Sequence, residues 1–535
     1  MDGITTLNRS RERLGLETFP EPMRPCFRSI LFDGPDIRPV RDDKEMPDFF
    51  TDLNLDQIVE SLTAGRDEYN LKPFFYTPLS RVETITYRHE ILRDLEKREL
   101  FGHIRSFAQA MRSMRSHLAQ AGKLHYKYQQ LRWFLDAADI YCNAVTCLTR
   151  DLAADNPLSR GLLAFHAYLT SYTQSPGFTR LLADTQKLKD DLSGIRYCLH
   201  IEGGRITVSR YESEPDYSAE VLRTFEKFQQ GSAKEYRFDF SSWPDMNHVE
   251  AAILERVARL YPAIFLSLEQ YGEQHRNYLD QTIMTFDREV QFYVAYLEHM
   301  ERFKPAGLPF CYPTVTDRSK EVCGREVFDL ALAHKLLGDA APLVTNDFYL
   351  KNPERIIVVT GPNQSGKTTF ARTFGQLHYL ASIGCPVPGR EATLFLPDKL
   401  FTHFEREETL RNLSSKLEDD LLRIHRILEQ ATPNSILIMN ESFVSTTLSD
   451  ALFLSKRVME QIIQRDMLCV TVTFLDELAS LGETTVSMVG TLASDDPAVR
   501  TFKIVRKRAD GLAYALSIAE KHRLTYDQLK ERIGS

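Results

Sequence analysis

The order of hydrophobic and polar positions divides this chain into a long helical part and a later part in which strands and helices alternate. Apolar residues recur every three or four positions over 53–62, 81–96 and 103–135, which predicts three helices, the third with a break at Gly122. The same spacing over 248–303 predicts a long helix that is kinked or broken before Pro262, because proline cannot donate the helical hydrogen bond. The part before the alternating region therefore reads as mostly helix.

A small β insertion interrupts the helical part. Strand-forming residues at 199–202 and 205–208 flank Gly203 and Gly204, and two such runs joined by a Gly-Gly turn predict a β-hairpin. Residues 236–240 alternate in polarity as a further strand would. We therefore expect a β insertion near 195–242.

The strongest chemical signal is the run IIVVTGPNQSGKTT at 356–369. It reads as a buried strand, a glycine loop and the start of a helix, and its spacing is that of a P-loop, in which backbone N–H groups surround phosphate oxygens. Lys367 is predicted to reach the β- and γ-phosphates, and the Thr368 hydroxyl to hold Mg²⁺. An ordinary glycine turn is the alternative, and the flanking strand and helix argue against it. The predicted nucleotide-binding residues of this loop are Gly361, Pro362, Asn363, Gln364, Ser365, Gly366, Lys367, Thr368 and Thr369.

A second apolar run completes the predicted site. Residues 435–439 read as a buried parallel strand that ends in Asn440 and Glu441. In P-loop proteins such a strand delivers an acidic residue to Mg²⁺ and a neighbouring carboxylate that activates water. Asn440 is therefore predicted on the metal side, and Glu441 as the general base, with a core strand that has a polar end as the alternative.

These motifs resemble the ATPase domain of the MutS family, the mismatch-repair ATPases, over about 343–533. The run TGPN at 360–363, followed by the GKT at 366–368, resembles that family's P-loop, and GCPVP at 384–388 is similar to its glycine–valine–proline turn. Residues 398–402 resemble the strand after that turn. The resemblance implies an ABC-like α/β ATPase domain with a mostly parallel sheet, preceded by a helical core and lever domain.

The resemblance also implies residue roles outside the P-loop. Asn346, within the run at 343–347, is similar to an asparagine that contacts the nucleotide. Ser414 falls where the family has a signature serine that touches the γ-phosphate bound by the other subunit; Ser415 is adjacent, and a plain helix cap is the alternative. The family further implies ATP and Mg²⁺ as cofactors, a homodimer, and DNA as partner, closed upon by a clamp at the ends of long lever helices.

The departures from the family pattern concern hydrolysis. Asn440 replaces the usual metal-side aspartate, and Phe474, within 473–478, stands where the family usually has a histidine. The loop at 442–444 lacks the usual glycines and arginine. Each change removes a charged or polar group or stiffens a loop, so the sequence predicts ATP binding and a slow ATPase.

Composition sets the outer limits. With 535 residues, 43% hydrophobic and 26% charged, the chain is expected to form two or three globular domains. No apolar run reaches the ~20 residues of a membrane helix, no secretory signal is recognisable, and eight scattered cysteines indicate neither a disulfide framework nor a zinc site. We therefore expect a cytoplasmic protein without a membrane partner.

The boundaries follow from these patterns. We predict an N-terminal segment at 1–72, a helical core and lever domain at 73–304, a connector at 305–341, and the P-loop ATPase domain at 342–535. The run from Pro305 to Pro309 is the expected boundary between domains, because it breaks the helix and precedes an irregular stretch. The helical core begins almost at the start of the sequence, so the family's mismatch-recognition domain is not expected ahead of it.

Charge leaves two functions open. The net charge of −8 argues against bulk electrostatic binding of DNA, yet residues 100–135 contain six Arg or Lys and no acid. Those bases either face phosphates or pair within the chain. The preferred hypothesis is a dimeric, ATP-dependent DNA clamp in repair, recombination or genome defence. The alternative is a nucleotide-gated protein-interaction module with little hydrolysis and no DNA binding.

Overall fold

The chain folds into two compact units, each of which draws on separate stretches of sequence. The computed structural model describes residues 27–34, 42–213, 220–221, 223–224, 246–337, 343–405, 416–492, 500–509 and 524–533. The first unit comprises Met1–Arg28, Lys97–Leu158 and Leu162–Asp287. The second unit comprises Ser29–Glu96, Ser159–Gly161 and Arg288–Ser535.

Helices dominate the chain as far as residue 301. The α-helices of the described residues, in chain order, are α1 (Phe49–Asp52), α2 (Leu55–Thr63), α3 (Lys72–Phe75), α4 (Val82–Leu95), α5 (Arg98–Ala121), α6 (Lys127–Asp155), α7 (Arg160–Thr173), α8 (Pro176–Ser193), α9 (His248–Leu260), α10 (Pro262–Gln274), α11 (Gln281–Glu301), α12 (Leu330–Leu336), α13 (Lys367–Ser382), α14 (Lys416–Gln430), α15 (Leu448–Gln464) and α16 (Tyr526–Ile533). Short 3₁₀ turns lie at Asp67–Tyr69, Lys304–Ala306 and Asp476–Ser480.

The helical periodicity predicted α2, α4, α5, the first part of α6, and α9 to α11, whereas α7, α8 and the part of α6 after residue 135 were not predicted. The expected break at Gly122 separates α5 from α6, and Pro262 occupies the first turn of α10, where its missing N–H costs nothing. A second break at 275–280, between α10 and α11, was not expected from the sequence. The long pattern over 248–303 is therefore three helices.

The two hairpin strands lie in the first unit, and the other strands of the described residues lie in the second unit. The strands are β1 (Tyr197–Glu202), β2 (Arg205–Arg210), β3 (Phe310–Cys311), β4 (Thr314–Thr316), β5 (Val322–Val327), β6 (Asn346–Leu350), β7 (Ile356–Thr360), β8 (Val387–Pro388), β9 (Glu391–Phe395), β10 (Leu400–Phe404), β11 (Ile436–Asn440), β12 (Leu468–Val472), β13 (Thr485–Leu492) and β14 (Arg500–Arg506). The predicted hairpin is confirmed: β1 and β2 pair antiparallel across the Gly-Gly turn. The further strand predicted at 236–240 lies outside the described residues.

A six-stranded sheet positions the candidate site. Its order is β10-β11-β12-β7-β13-β14, and every neighbouring pair is parallel except β13 with β14. The carboxyl ends of the five parallel strands therefore share one edge, where ligands bind in open α/β sheets. Beside it, a smaller sheet has the order β4-β9-β5-β6.

Helices cover both faces of the six-stranded sheet. On one face, Ile356, Leu437 and Cys469 pack with residues of α14 and α15 in one buried cluster. On the other face α13 approaches closely at Gly375, where an added Cβ would lie 2.6 Å from Ile438 Cδ1. Because the central strands are buried on both faces, they read as continuous apolar runs in the sequence.

The expectation of an irregular stretch after Pro309 is wrong. Strands β3, β4 and β5 and helix α12 lie within 305–341, and β4 and β5 both pair with β9. These strands are two to six residues long and obtain their hydrogen bonds from distant parts of the chain. Such short segments carry little periodicity of their own. Within the described ranges, no helix combines the length and apolarity needed to cross a bilayer.

Candidate functional site

The loop between β7 and α13 has the backbone of a phosphate-binding loop. Gly361, Gln364 and Gly366 have φ values of 124°, 60° and 91°, and Gly366 immediately precedes the first residue of α13. Left-handed backbone at two glycines lets successive peptide N–H groups turn inward at the amino end of a helix. This end also carries the positive pole of the helix dipole, so the loop is built to receive an anion.

Gly490 on β13 is a part of the site that the sequence interpretation did not include. A Cβ on Gly361 would lie 2.9 Å from the Gly490 amide nitrogen, and a Cβ on Gly490 would overlap the Ser365 side chain. The loop therefore rests directly on the backbone of β13. An isolated glycine within a strand is the signal that could have revealed this close approach.

The Lys367 side chain is enclosed by the loop. Its Nζ donates to Gly361 O at 2.9 Å and to Pro362 O at 3.1 Å, and lies 4.5 Å from the centre of the Phe474 ring. Burial lowers the pKa of Lys367, the charge of Glu441 opposes that shift, and the charge of Arg500 adds to it. The ammonium is thus held at the loop, with its donors turned to carbonyl oxygens and a ring face.

Thr368, on the helix that follows β7, contacts Asn440 at the end of β11, although β12 lies between these two strands. Thr368 Oγ1 donates to Asn440 Oδ1 at 3.0 Å, which joins the first turn of α13 to the carboxyl end of β11. Hydroxyl and amide oxygens are ligands suited to Mg²⁺, so these two residues fit the metal that the P-loop pattern implies. Two buried hydroxyls beside them, Thr360 Oγ1 and Ser365 Oγ, have no hydrogen-bond partner among the described residues.

Glu441 follows Asn440 in a strained conformation. Its φ is 53° and that of Phe443 is 62°, although left-handed backbone costs a side-chain-bearing residue about 1–2 kcal/mol. Phe443 offsets this cost by burying its ring in the cluster beneath α14 and α15. Burial raises the pKa of Glu441, the charge of Lys367 opposes the rise, and that of Glu405 adds to it. A carboxylate with a raised pKa at this edge suits a general base.

Strand β14 borders the loop and holds Asn346. The Asn346 side chain donates to Phe502 O at 3.2 Å and accepts from the Ile504 amide at 2.8 Å. Both ends of its amide group are therefore bonded to β14, and the predicted contact of Asn346 with a nucleotide stays a prediction. On the same strand, Arg500 Nε donates to Asn363 O at 3.1 Å. No sequence pattern singled out Arg500, because β14 follows the P-loop by more than a hundred residues.

The remaining predicted residues lie around the loop or outside the described ranges. Asn363 and Gln364 are exposed, Pro362 is buried, and Thr369 accepts at its backbone oxygen from Thr373 Oγ1 at 2.8 Å. Ser414 and Ser415 lie outside the described residues. The structure thus brings together Gly361, Pro362, Lys367 and Thr368 with Asn440 and Glu441.

Comparison with known proteins agrees with this geometry. Residues 357–528 match the family model described as MutS domain V. Over these residues the chain is similar to the MutS family. Similar proteins include the DNA mismatch repair protein MutS of Granulibacter bethesdensis, 28% identical over 276 residues, which are 50% of this chain and 28% of that protein.

Two further relatives differ in name or in the length matched. The endonuclease MutS2 of Thermus thermophilus is 29% identical over 199 residues, 37% of this chain and 26% of that protein. The MutS of Thermotoga sp. strain RQ2 is 32% identical over 138 residues, 26% of this chain and 17% of that protein. The chain thus matches little more than a quarter, or less, of the length of each of these MutS relatives.

Outside the matched residues, three of the six bases in the acid-free stretch form ion pairs within the chain. Arg115 forms an ion pair with the buried Asp287, Lys127 pairs with Glu269 at 2.7 Å, and Arg132 pairs with Asp136 at 3.0 Å. Of the two interpretations left open by the sequence, intramolecular pairing describes these three bases. These ion pairs reduce the positive charge that the three side chains can offer to a phosphate.

The hairpin combines a packed base with an exposed tip. Near the base, Tyr261 OH donates to Arg196 O at 2.5 Å, and Val208 packs against a cluster that includes Phe265. Near the tip, Ile201 is 68% exposed. The base of the hairpin therefore packs on helices, and its tip is accessible to a partner.

Proposed function

We propose that this chain is a MutS-type ATPase that binds Mg²⁺-ATP at the P-loop and hydrolyses it slowly. The observation that carries the proposal is the hydrogen bond of Thr368 with Asn440, which brings the P-loop helix to the strand that ends in Glu441. A phosphate-binding loop, oxygen ligands for a divalent cation and a carboxylate thereby meet at one edge of the sheet. This combination is what phosphoryl transfer to water requires.

Each side chain has a role that its surroundings support. The amides of 361–366 and the Lys367 ammonium bind the phosphates, and Thr368 and Asn440 hold Mg²⁺, which neutralises charge on the phosphate oxygens. Glu441 accepts the proton of the attacking water, and its burial favours that role because a raised pKa makes a carboxylate a stronger base. Asn440 contributes no negative charge, and a slow turnover follows from the weaker hold on the metal.

Two substitutions test this proposal. Lys367→Ala should abolish tight ATP binding, because it removes the loop's full positive charge, whereas the exposed Lys335→Ala should bind ATP as the wild type does. Glu441→Gln should retain binding and lose turnover, because an amide cannot accept the proton. Calorimetry measures the ATP affinity of the lysine variants, and phosphate release measures the turnover of Glu441→Gln. Unchanged affinity in Lys367→Ala, or unchanged turnover in Glu441→Gln, would contradict the assignment.

The proposal extends to DNA as partner and a homodimer as the working form. The relatives are named for DNA mismatch repair and for an endonuclease, and the exposed hairpin tip gives this chain a surface for a nucleic acid. Gel shifts with duplex, mismatched, branched and single-stranded DNA, with and without ATP, test the partner. We expect ATP to change the affinity for at least one of these forms.

The alternative is a nucleotide-gated protein-interaction module with little hydrolysis. The intramolecular ion pairs of Arg115, Lys127 and Arg132 favour it, since they reduce the charge available to DNA phosphates. Absence of binding to all four DNA forms, together with intact ATP binding, would select this alternative. The names of the relatives favour the DNA-acting form.

A further inference from the structure

The Lys367 ammonium has three partners within the protein, two backbone oxygens and one aromatic ring. Two N–H groups face the backbone oxygens of Gly361 and Pro362, and the Phe474 ring covers the remaining side at 4.5 Å from Nζ to the ring centre. Lys367 itself is only 4% exposed. A phosphate oxygen that accepts from this ammonium must therefore replace one of these three partners.

Phe474 is held in place by its neighbours rather than by burial of its own ring. Before it, the Thr473 amide donates to Val359 O at 3.1 Å, and after it the buried Leu475 amide donates to Thr473 Oγ1 at the same distance. The ring itself is 48% exposed. An anchored backbone with a half-exposed ring can release the ammonium by rotating the side chain alone, without disturbing β12.

The strand order places the ring on one side of the site. Phe474 follows β12. That strand lies between β7, which leads into the P-loop, and β11, which ends at Asn440 just before Glu441. The ring thus stands toward the metal and water side of the lysine. In the proposed function, the terminal phosphate of a bound triphosphate lies on that same side.

We propose that the Phe474 ring is a latch on the Lys367 ammonium, which a triphosphate has to displace and a diphosphate does not. The face of an aromatic ring carries negative charge, so it attracts the ammonium and repels a phosphate at the same position. The latch lowers affinity for ATP relative to ADP. Phe474 is a positioning residue, because it acts through Lys367, and this inference rests on the proposed nucleotide site.

Binding of two nucleotides to four proteins tests the latch. Mg²⁺-ADP and a non-hydrolysable Mg²⁺-ATP analogue are titrated by calorimetry into wild type, Phe474→Ala, Phe474→Tyr and Phe453→Ala. Loss of a partly solvated cation–π contact should tighten triphosphate binding by Phe474→Ala about threefold to tenfold, with ADP affinity within about twofold of wild type. Phe474→Tyr keeps the ring face and should bind both nucleotides as wild type does.

Phe453→Ala is the matched control. Phe453 is also an exposed phenylalanine beside a cation, with Arg457 5.6 Å from its ring centre, but it lies on α15 rather than over the P-loop lysine. Its removal should leave both affinities unchanged. An equal gain for both nucleotides, or a loss of triphosphate affinity in Phe474→Ala, would overturn the latch, since the ring would then not oppose the terminal phosphate.

The outcome also separates the latch from the nucleotide site itself. If wild type binds neither nucleotide and Lys367→Ala behaves identically, the proposed function fails. If wild type binds both nucleotides and Phe474→Ala leaves their affinity ratio unchanged, only the latch fails.

Discussion

Asn440 sets the charge on the metal side of the candidate site. Its Oδ1 accepts from Thr368, and its side chain is neutral where a carboxylate would add a negative charge. Asn440→Asp should lower the Mg²⁺ concentration needed for half-maximal ATP binding by about tenfold, because ligand charge tunes affinity for hard cations. Binding measured across a magnesium titration reports this change.

The same strand offers a control for that prediction. Asn434 lies just before β11, at the opposite end from Asn440, and is exposed. Asn434→Asp introduces the same charge far from the loop and should leave the magnesium requirement as it is. Equal magnesium curves for both variants would remove Asn440 from the metal site.

Buried histidines in the second unit give stability a definite pH dependence. Burial lowers the pKa of His89 to about 4, with the charge of Arg93 adding to the effect, whereas an unfolded histidine titrates near 6.5. Between these values the unfolded chain binds more protons, so the free energy of unfolding falls as pH decreases from 6.5 toward 4. His89→Gln should reduce the loss between pH 7.5 and pH 5 by about 2 kcal/mol in urea titrations.

If His89→Gln lost as much stability on acidification as wild type, another group would be responsible.

At the scale of elements, the packing of the P-loop on β13 requires a glycine at position 490. Gly490→Ala should weaken ATP binding about tenfold, because the added methyl group overlaps the Ser365 side chain and displaces the P-loop from the β13 backbone. Circular dichroism should show the same helix content as wild type. The double variant Ser365→Gly with Gly490→Ala makes room for the methyl group and should regain part of the affinity.

Gly102→Ala is the control for the glycine substitution. Gly102 lies within α5 with no atom closer than 4 Å to the position of an added Cβ. This variant should bind ATP as wild type does and gain up to about 1 kcal/mol of stability from helix propensity. Unchanged ATP binding in Gly490→Ala would show that the loop does not depend on β13.

Those parts of the site that are contiguous in sequence were predictable, whereas those that depend on distant elements were not. The P-loop, its strand and its helix follow from spacing and periodicity within 356–382, and β11 follows from its apolar run. Gly490 and Arg500 reach the loop only because β13 pairs with β7 and β14 pairs with β13. Local periodicity does not encode such pairing.

The strained backbone after β11 illustrates the same limit. Left-handed conformations are expected at glycine, and the sequence offers none at Glu441 or Phe443. Burial of Phe443 in the cluster between the sheet and the helices α14 and α15 compensates for the strain. A conformation maintained by tertiary packing cannot be inferred from local residue preferences.

At the scale of the whole molecule, the proposed homodimer predicts that ATP controls assembly, if Ser414 of one subunit touches the γ-phosphate bound by the other as the family resemblance implies. A ligand held by two subunits stabilises their contact by linkage. With Mg²⁺-ATP, the Glu441→Gln variant should double in mass from the 61.6 kDa of one chain, as light scattering would show. Ser414→Arg should weaken that assembly. A mass that stays at one chain under saturating ATP would contradict a shared site.

The second unit combines an early and a late stretch of sequence, and this has a consequence for how the protein is synthesised. Ser29 Oγ donates to Glu289 at 2.8 Å, and Arg88 donates to Ile383 O at 2.7 Å, so residues 29–96 obtain partners that lie 260 and 295 positions further along the chain. At about 5–20 residues per second, a ribosome needs roughly 10–60 s to synthesise the intervening chain. During that time the apolar side chains of Phe75 and Ile91, fully buried in the finished unit, lack their later partners. The residues of the first unit are complete earlier. Nascent chains of this protein should therefore expose apolar surface within residues 29–96 and bind chaperones there until translation passes residue 383.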